Sequence, residues 1–167
     1  MGLGHPYRGD DSIGIRAAEE FESWSQDPAV EVVVAHELLP ELTERISHVD
    51  LLVFLDARAG GVPGSVEVSE IKPAEIVCGA FLHTLTIKTL LSVTRTLFGH
   101  VPQTILISVA GVSFDFALHL SLKVEGALPI VIERLKEVIH SSGRFEKNGH
   151  NGFLTSCPSA QFLWNSD

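Results

Sequence analysis

Hydrophobic and polar positions follow two periods along this chain, and stretches of the two kinds take turns. Ile13, Ala17, Ala18 and Phe21 recur at helical steps. Asp10, Asp11 or Ser12 stands where such a helix takes its cap, and Gln26-Asp27-Pro28 ends it beyond Trp24. Val30 to Ala35 is short and β-branched, which predicts a strand. Leu38, Leu42, Ile46 and Val49 predict a second helix. Leu51 to Leu55 is an unbroken apolar run closed by Asp56, as expected of a strand buried on both faces. Ser65 to Ser69 alternates like a half-exposed strand after the Gly60–Gly64 loop. His83 to Leu97 predicts a third helix ended by Gly99, and Thr104 to Val109 another buried strand. Leu120, Val124, Leu128, Val131, Leu135 and Val138 mark a last helix, in which Pro129 predicts a kink or break.

Strands alternating with helices predict a single α/β domain, a three-layer arrangement of a mainly parallel twisted sheet with helices on both faces. The pattern stops at Ser141. Residues 1–140 are therefore expected to form the domain and residues 141–167 a disordered tail, rich in Gly, Ser and Asn. In that tail Arg144 and Lys147 balance Glu146 and Asp167, so the whole net charge of −9 belongs to the domain.

Composition narrows the classes. Of 167 residues, 45% are hydrophobic, enough for a core and too many for a disordered chain. An excess of 21 Asp+Glu over 12 Lys+Arg speaks against nucleic acid as a partner. No apolar run is long enough to span a membrane, and no cationic-then-apolar leader follows Met1. Cys78 and Cys157 have no metal-type spacing. A cytoplasmic protein, expected to be a monomer, is the default.

In open α/β sheets, ligands bind beyond the carboxyl ends of the strands. Asp56 lies at such an end, and Asp10 and Asp11 lie in the loop before the first helix. Each has a plain structural explanation as a turn acid or a helix cap. His83 at a helix start is equally ordinary taken alone, and the other histidines show no paired spacing. Taken together, two carboxylates and an imidazole at one sheet edge would form an O,O,N ligand set with open positions. That set suits nickel or zinc rather than calcium.

The string GLGHPYRGDDSIG at 2–14 resembles the opening motif of the hydrogenase maturation endopeptidases, which trim the C-terminus of [NiFe] hydrogenase large subunits. HELLPEL at 36–42, LLVFLDARAG at 51–60, PGSVEV at 63–68, FLHTLTIKTLL around His83, ILISVAGVSFDF at 105–116 and LSLKVEGALPIVIERLKEVI follow in the family's order. The resemblance implies a five-stranded α/β domain and a peptidase, described in the family both as aspartic-type and as metal-dependent. It implies that Asp11, Asp56 and His83 bind metal, that Asp11 and Asp56 serve catalysis, and that Asp10 supports them as a neighbouring acid. It implies as partner the [NiFe] hydrogenase large-subunit precursor, which supplies the nickel, so that the enzyme need hold none at rest. Cleavage of one peptide bond would release the precursor's C-terminal extension.

Three departures accompany the resemblance. Position 11 is Asp where many relatives have Glu, His5 stands where Asn is usual, and the apolar first strand that leads into the opening loop is expected to be missing, leaving an N-terminally truncated domain. Two other functions fit parts of the chain. One is a non-catalytic, nickel-dependent hydrogenase assembly protein, or an inactive truncated relative. The other is a peptidyl-tRNA hydrolase-like enzyme, whose Gly-Leu-Gly-Asn-Pro opening resembles residues 2–6. That class wants a basic face for tRNA, which a net charge of −9 does not offer.

Overall fold

A computed structural model describes residues 1–25, 27–75 and 85–145, the last three by backbone only. The apolar run at Leu51 becomes β3, Leu51–Arg58, and the run at Thr104 becomes β5, Gln103–Ala110. The two pair in parallel along their full length, Leu51 opposite Gln103 through Arg58 opposite Ala110. Period-two alternation divides β3 between two cores. Val53 and Leu55 pack with Ile107 and Val109 on one side of the sheet, whereas Leu52 and Phe54 face the other. Each such side chain contributes roughly 1.5–3 kcal/mol by leaving water.

The remaining strands are β1, Gly2–Leu3, β2, Val34–Ala35, and β4, Val66–Glu70. The sheet order is β2-β1-β3-β5-β4, with β4 alone antiparallel, so the mainly parallel α/β architecture holds. Where the first strand was expected to be missing, the structure has a two-residue strand, Gly2–Leu3. Gly2 and Leu3 lie between β2 and β3 and pair with both. Gly2 donates to Val33 O at 2.8 Å, Leu55 donates to Met1 O at 2.9 Å, and the Met1 ammonium donates to Val53 O at 2.7 Å. Both residues of β1 are buried, and the backbone groups named here are paired. Burial lowers the pKa of the Met1 amino group to about 6.

Helices cover both faces. α1, Ile13–Trp24, and α5, Leu128–Phe145, bury Ala17, Phe21, Val131 and Leu135 against the first core. α2, Leu42–Ser47, and α3, Ile87–Phe98, cover the second with Ile46, Leu90 and Leu91. Thr86 caps α3 by accepting from Thr89 N, and Gly99 ends it in the left-handed conformation. α2 starts later than its periodicity suggests, because Leu39 precedes Pro40 and so disfavours helical backbone there.

The last predicted helix is two. The short α4, Leu122–Glu125, precedes α5, and Pro129 sits in the first turn of α5, where its missing N–H costs no bond. α5 runs past the expected domain boundary at 140. Residues 146–167, the expected tail, lie outside the described residues. Among the described residues, no helix is long and apolar enough to cross a membrane.

One contact seats α1 on the sheet. A Cβ added at Gly14 would fall on the carbonyl oxygens of Leu55 and Leu3. Those oxygens belong to the central strands and cannot give way. Gly14→Ala gains about 1 kcal/mol of helix propensity but forces backbone apart at a cost of roughly 1–3 kcal/mol. The expected outcome is a lower melting temperature, read by thermal unfolding; an unchanged or raised value would contradict this packing.

Candidate functional site

Two acids adjacent in sequence have opposite environments. They lie on a 3-10 turn, Gly9–Ser12, that leads into α1. Neither they nor Ser12 caps the helix with a side chain, contrary to the capping expectation. Ser12 instead donates to Gly9 O at 2.7 Å. Asp10 is buried, and its carboxylate accepts four hydrogen bonds from the segment after β5. These come from Val112 N at 2.7 Å, Ser113 N at 3.2 Å, Ser121 N at 2.6 Å and Ser121 Oγ at 2.9 Å. Burial pushes its pKa up, but the Ser121, Val112 and Ser113 amides and the Ser121 hydroxyl outweigh that and hold it below the usual value. Asp10 therefore ties the opening loop to the β5–α4 connection.

Asp11 is only partly buried. Its Oδ2 accepts from His5 N at 2.9 Å. A Cβ at Gly4 would fall on the Asp11 carbonyl oxygen, and Gly4 has φ 130°. Only glycine lets the chain leave β1 this close beneath Asp11.

Asp56 does not close its strand, as the apolar run suggested. It is followed by Ala57 and Arg58 within β3 and stands opposite Ser108 of β5. By alternation it shares a face with Leu52 and Phe54, at the carboxyl-end side of the second core. It borders a cleft of about 440 Å³ whose other walls are largely apolar, among them Leu3, Leu38, Leu85 and Leu106, with Lys88 at the margin. Burial raises its pKa to about 6; the Ala57 amide at 2.8 Å opposes this and the Asp11 charge adds to it. Asp11 and Asp56 are thus electrostatically coupled, and among the described residues neither forms an ion pair.

His83 lies outside the described residues. Leu85 and Thr86, two and three positions after it, line the Asp56 cleft. Among the described residues, no group of three or more His, Cys, Asp or Glu side chains is arranged to hold a metal ion.

Sequence reasoning missed one feature of this end of the sheet. His5 and His36 are far apart in the chain, yet their rings lie 5.6 Å apart between centroids. They meet because each closely follows one of two adjacent parallel strands, β1 and β2. The signal was their common position after short apolar segments, not their spacing.

Neither a protein-family model nor a curated protein sequence matches the chain. Solved structures do. The chain is similar to the hydrogenase maturating endopeptidase HybD from Escherichia coli, with a TM-score of 0.73 at 23% identity over 85% of this chain and 91% of that one. It is similar to the [NiFe] hydrogenase maturation protease HycI from Thermococcus kodakarensis, with a TM-score of 0.67 at 24% identity over 83% and 89%. A hydrogenase 2 maturation peptidase from a Thaumarchaeota archaeon gives 0.61 at 24% over 83% and 94%. The fold is that of these proteases, and the chain spans nearly the whole length of each.

The buried Asp10 and the half-buried Asp56 should move stability in opposite directions. Asp10→Ala leaves several buried donors unpaired and should cost about 2–4 kcal/mol in denaturant unfolding at pH 7. An unchanged midpoint would contradict the tie to Ser121. For Asp56, the folded protein keeps a proton between pH 3.8 and about 6 that the unfolded chain has released. Its contribution to stability is therefore lost as pH rises through that window. Asp56→Asn should raise stability by roughly 1–3 kcal/mol at pH 7.5 and flatten the dependence between pH 4 and 6. A variant less stable than the parent at pH 7.5 would contradict the assigned environment.

Proposed function

We propose that this chain is a hydrogenase maturation endopeptidase that removes the C-terminal extension of a nickel-loaded [NiFe] hydrogenase large-subunit precursor. The observation that carries the reading is the coupling of Asp11 and Asp56, a carboxylate pair with no cation paired to it among the described residues. The pair stands at the carboxyl-end side of β1 and β3, on a fold shared with proteases named for this task. A carboxyl group whose pKa is raised by burial and a nearby like charge, at the edge of a cleft, is a mark of an acid–base site.

The chemistry follows from the environment of Asp56. Asp56, with a pKa near 6, exchanges protons near neutrality. As a carboxylate it can accept a proton from water as the water oxygen bonds to the scissile carbonyl carbon. Returned to the leaving nitrogen, that proton lets the C–N bond break, and the products are a carboxylic acid and an amine. Asp10 supports the pair by fixing the loop that carries Asp11.

Nickel enters as part of the substrate. Oxygen donors from Asp11 and Asp56, with an imidazole from His83, make a donor set suited to a borderline divalent ion. Its vacancies would be filled by the precursor's own ligands, so affinity would favour the nickel-loaded precursor over the empty one. The mutual repulsion of Asp11 and Asp56 supports a cationic occupant.

Incubation of the purified chain with nickel-loaded precursor, followed by mass spectrometry of the large subunit, tests the reading. The wild-type chain should release the extension. Asp11→Ala, Asp56→Ala and His83→Ala should each reduce processing by about a hundredfold or more while staying folded. Tight binding without release would favour a non-catalytic assembly protein, and full processing by all three variants would overturn the site.

A further inference from the structure

At the carboxyl ends of β1 and β2, four rings follow one another across the surface. His36 is 5.6 Å from His5, His5 is 5.7 Å from Tyr7, and Tyr7 stacks on Phe116 at 6.3 Å, all between centroids. The row is open to solvent; Tyr7 is 50% and Phe116 81% exposed. Exposed aromatic side chains grouped in this way are a common mark of a binding surface. The row adjoins Asp11, because the backbone of His5 donates to Asp11 Oδ2 at 2.9 Å.

The two imidazoles are held in opposite tautomers by backbone groups whose roles are fixed. His5 Nδ1 lies 3.2 Å from Tyr7 N, which can only donate, so Nδ1 carries the lone pair and Nε2 the hydrogen. His36 Nδ1 lies 3.1 Å from Gly4 O, which can only accept, so Nδ1 carries the hydrogen and Nε2 the lone pair. Each ring spends its inner nitrogen on the fold. Among the described residues neither outer nitrogen has a partner, which leaves one a donor and its neighbour's an acceptor. A peptide unit, with one C=O and one N–H, is complementary to that pair. The row spans at most about 18 Å, the length of roughly five residues of extended chain.

We infer that this ring row is the track on which the substrate polypeptide lies. His5 Nε2–H donates to a backbone carbonyl, His36 Nε2 accepts a backbone N–H, and Tyr7 and Phe116 contact neighbouring side chains. The identity of the polypeptide rests on the endopeptidase reading; the donor and acceptor assignment does not. His5 and His36 are binding residues, separate from the carboxylates assigned to the chemistry.

Amide side chains test this nitrogen by nitrogen. Asn reproduces the inner nitrogen of each ring, keeping the contact with Tyr7 N or Gly4 O, and lacks the outer one. Gln reaches the outer position. The affinity of the full chain for a [NiFe] hydrogenase large-subunit precursor is measured by titration, alongside cleavage by mass spectrometry. His5→Asn and His36→Asn should each weaken binding about tenfold, the value of one lost hydrogen bond, with melting temperature unchanged. His5→Gln and His36→Gln should restore part of it. Unchanged affinity in both Asn variants would overturn the track, and so would Gln variants impaired as much as Asn, since that pattern marks a purely structural role. A wild type that binds but does not cut overturns the peptidase reading alone. A wild type that does not bind overturns both.

Discussion

The closeness of α1 to the central strands is the constraint on which the site depends. Gly14 sits against the carbonyls of Leu55 and Leu3, and no other residue type fits there. That contact sets the start of α1 over the end of β1 at Leu3 and over Leu55 of β3. The turn that precedes α1 carries Asp11, and the residue after Leu55 is Asp56. Two carboxylates from distant parts of the sequence are coupled because a helix without a side chain at one position can reach the sheet backbone. Gly4 extends the same logic on the other side of Asp11, with a positive φ and backbone-to-backbone contact.

The buried Asp10 and the half-buried Asp56 are held in contrasting ways. Asp10 is fully committed, with four donors drawn from the segment between Val112 and Ser121, and its charge is stabilised. Asp56 has one backbone amide, an apolar cleft and a like charge nearby, and its charge is penalised. A site that stores unfavourable electrostatics needs a frame that does not relax, and the Asp10 tie together with the β3–β5 ladder provides one. The fold tolerates the penalty because it is about as large as the burial of one core side chain.

Much of this architecture was legible in the residues, and the parts that were not share a cause. The β3 and β5 runs announced themselves as doubly buried strands, and Ile13 to Phe21 as a helix face, because each is long enough for its period to show. β1 has two residues, so no period exists to read; its place comes entirely from backbone partners on β2 and β3. β2 shrinks to Val34–Ala35, although Val30 and Val32 still pack on the core. For the site, Asp56 stood out as an acid ending an apolar run, and its raised pKa fits that signal. Asp10 resembled a helix cap, and only the tertiary approach of Ser121 discloses its actual partners. His5 and His36 were invisible as a pair, since parallel strand adjacency, not sequence spacing, brings them together.

The proposed chemistry requires that the Asp11 charge acts on a partly desolvated Asp56. Carbon-13 NMR of the Asp56 side-chain carboxyl across a pH titration tests it most directly, in the parent chain and in Asp11→Asn. In the parent the midpoint should lie near 6. In Asp11→Asn it should be lower, still above the ordinary 3.8 because burial persists. A parent midpoint near 3.8, or one that does not move when Asp11 loses its charge, would contradict it.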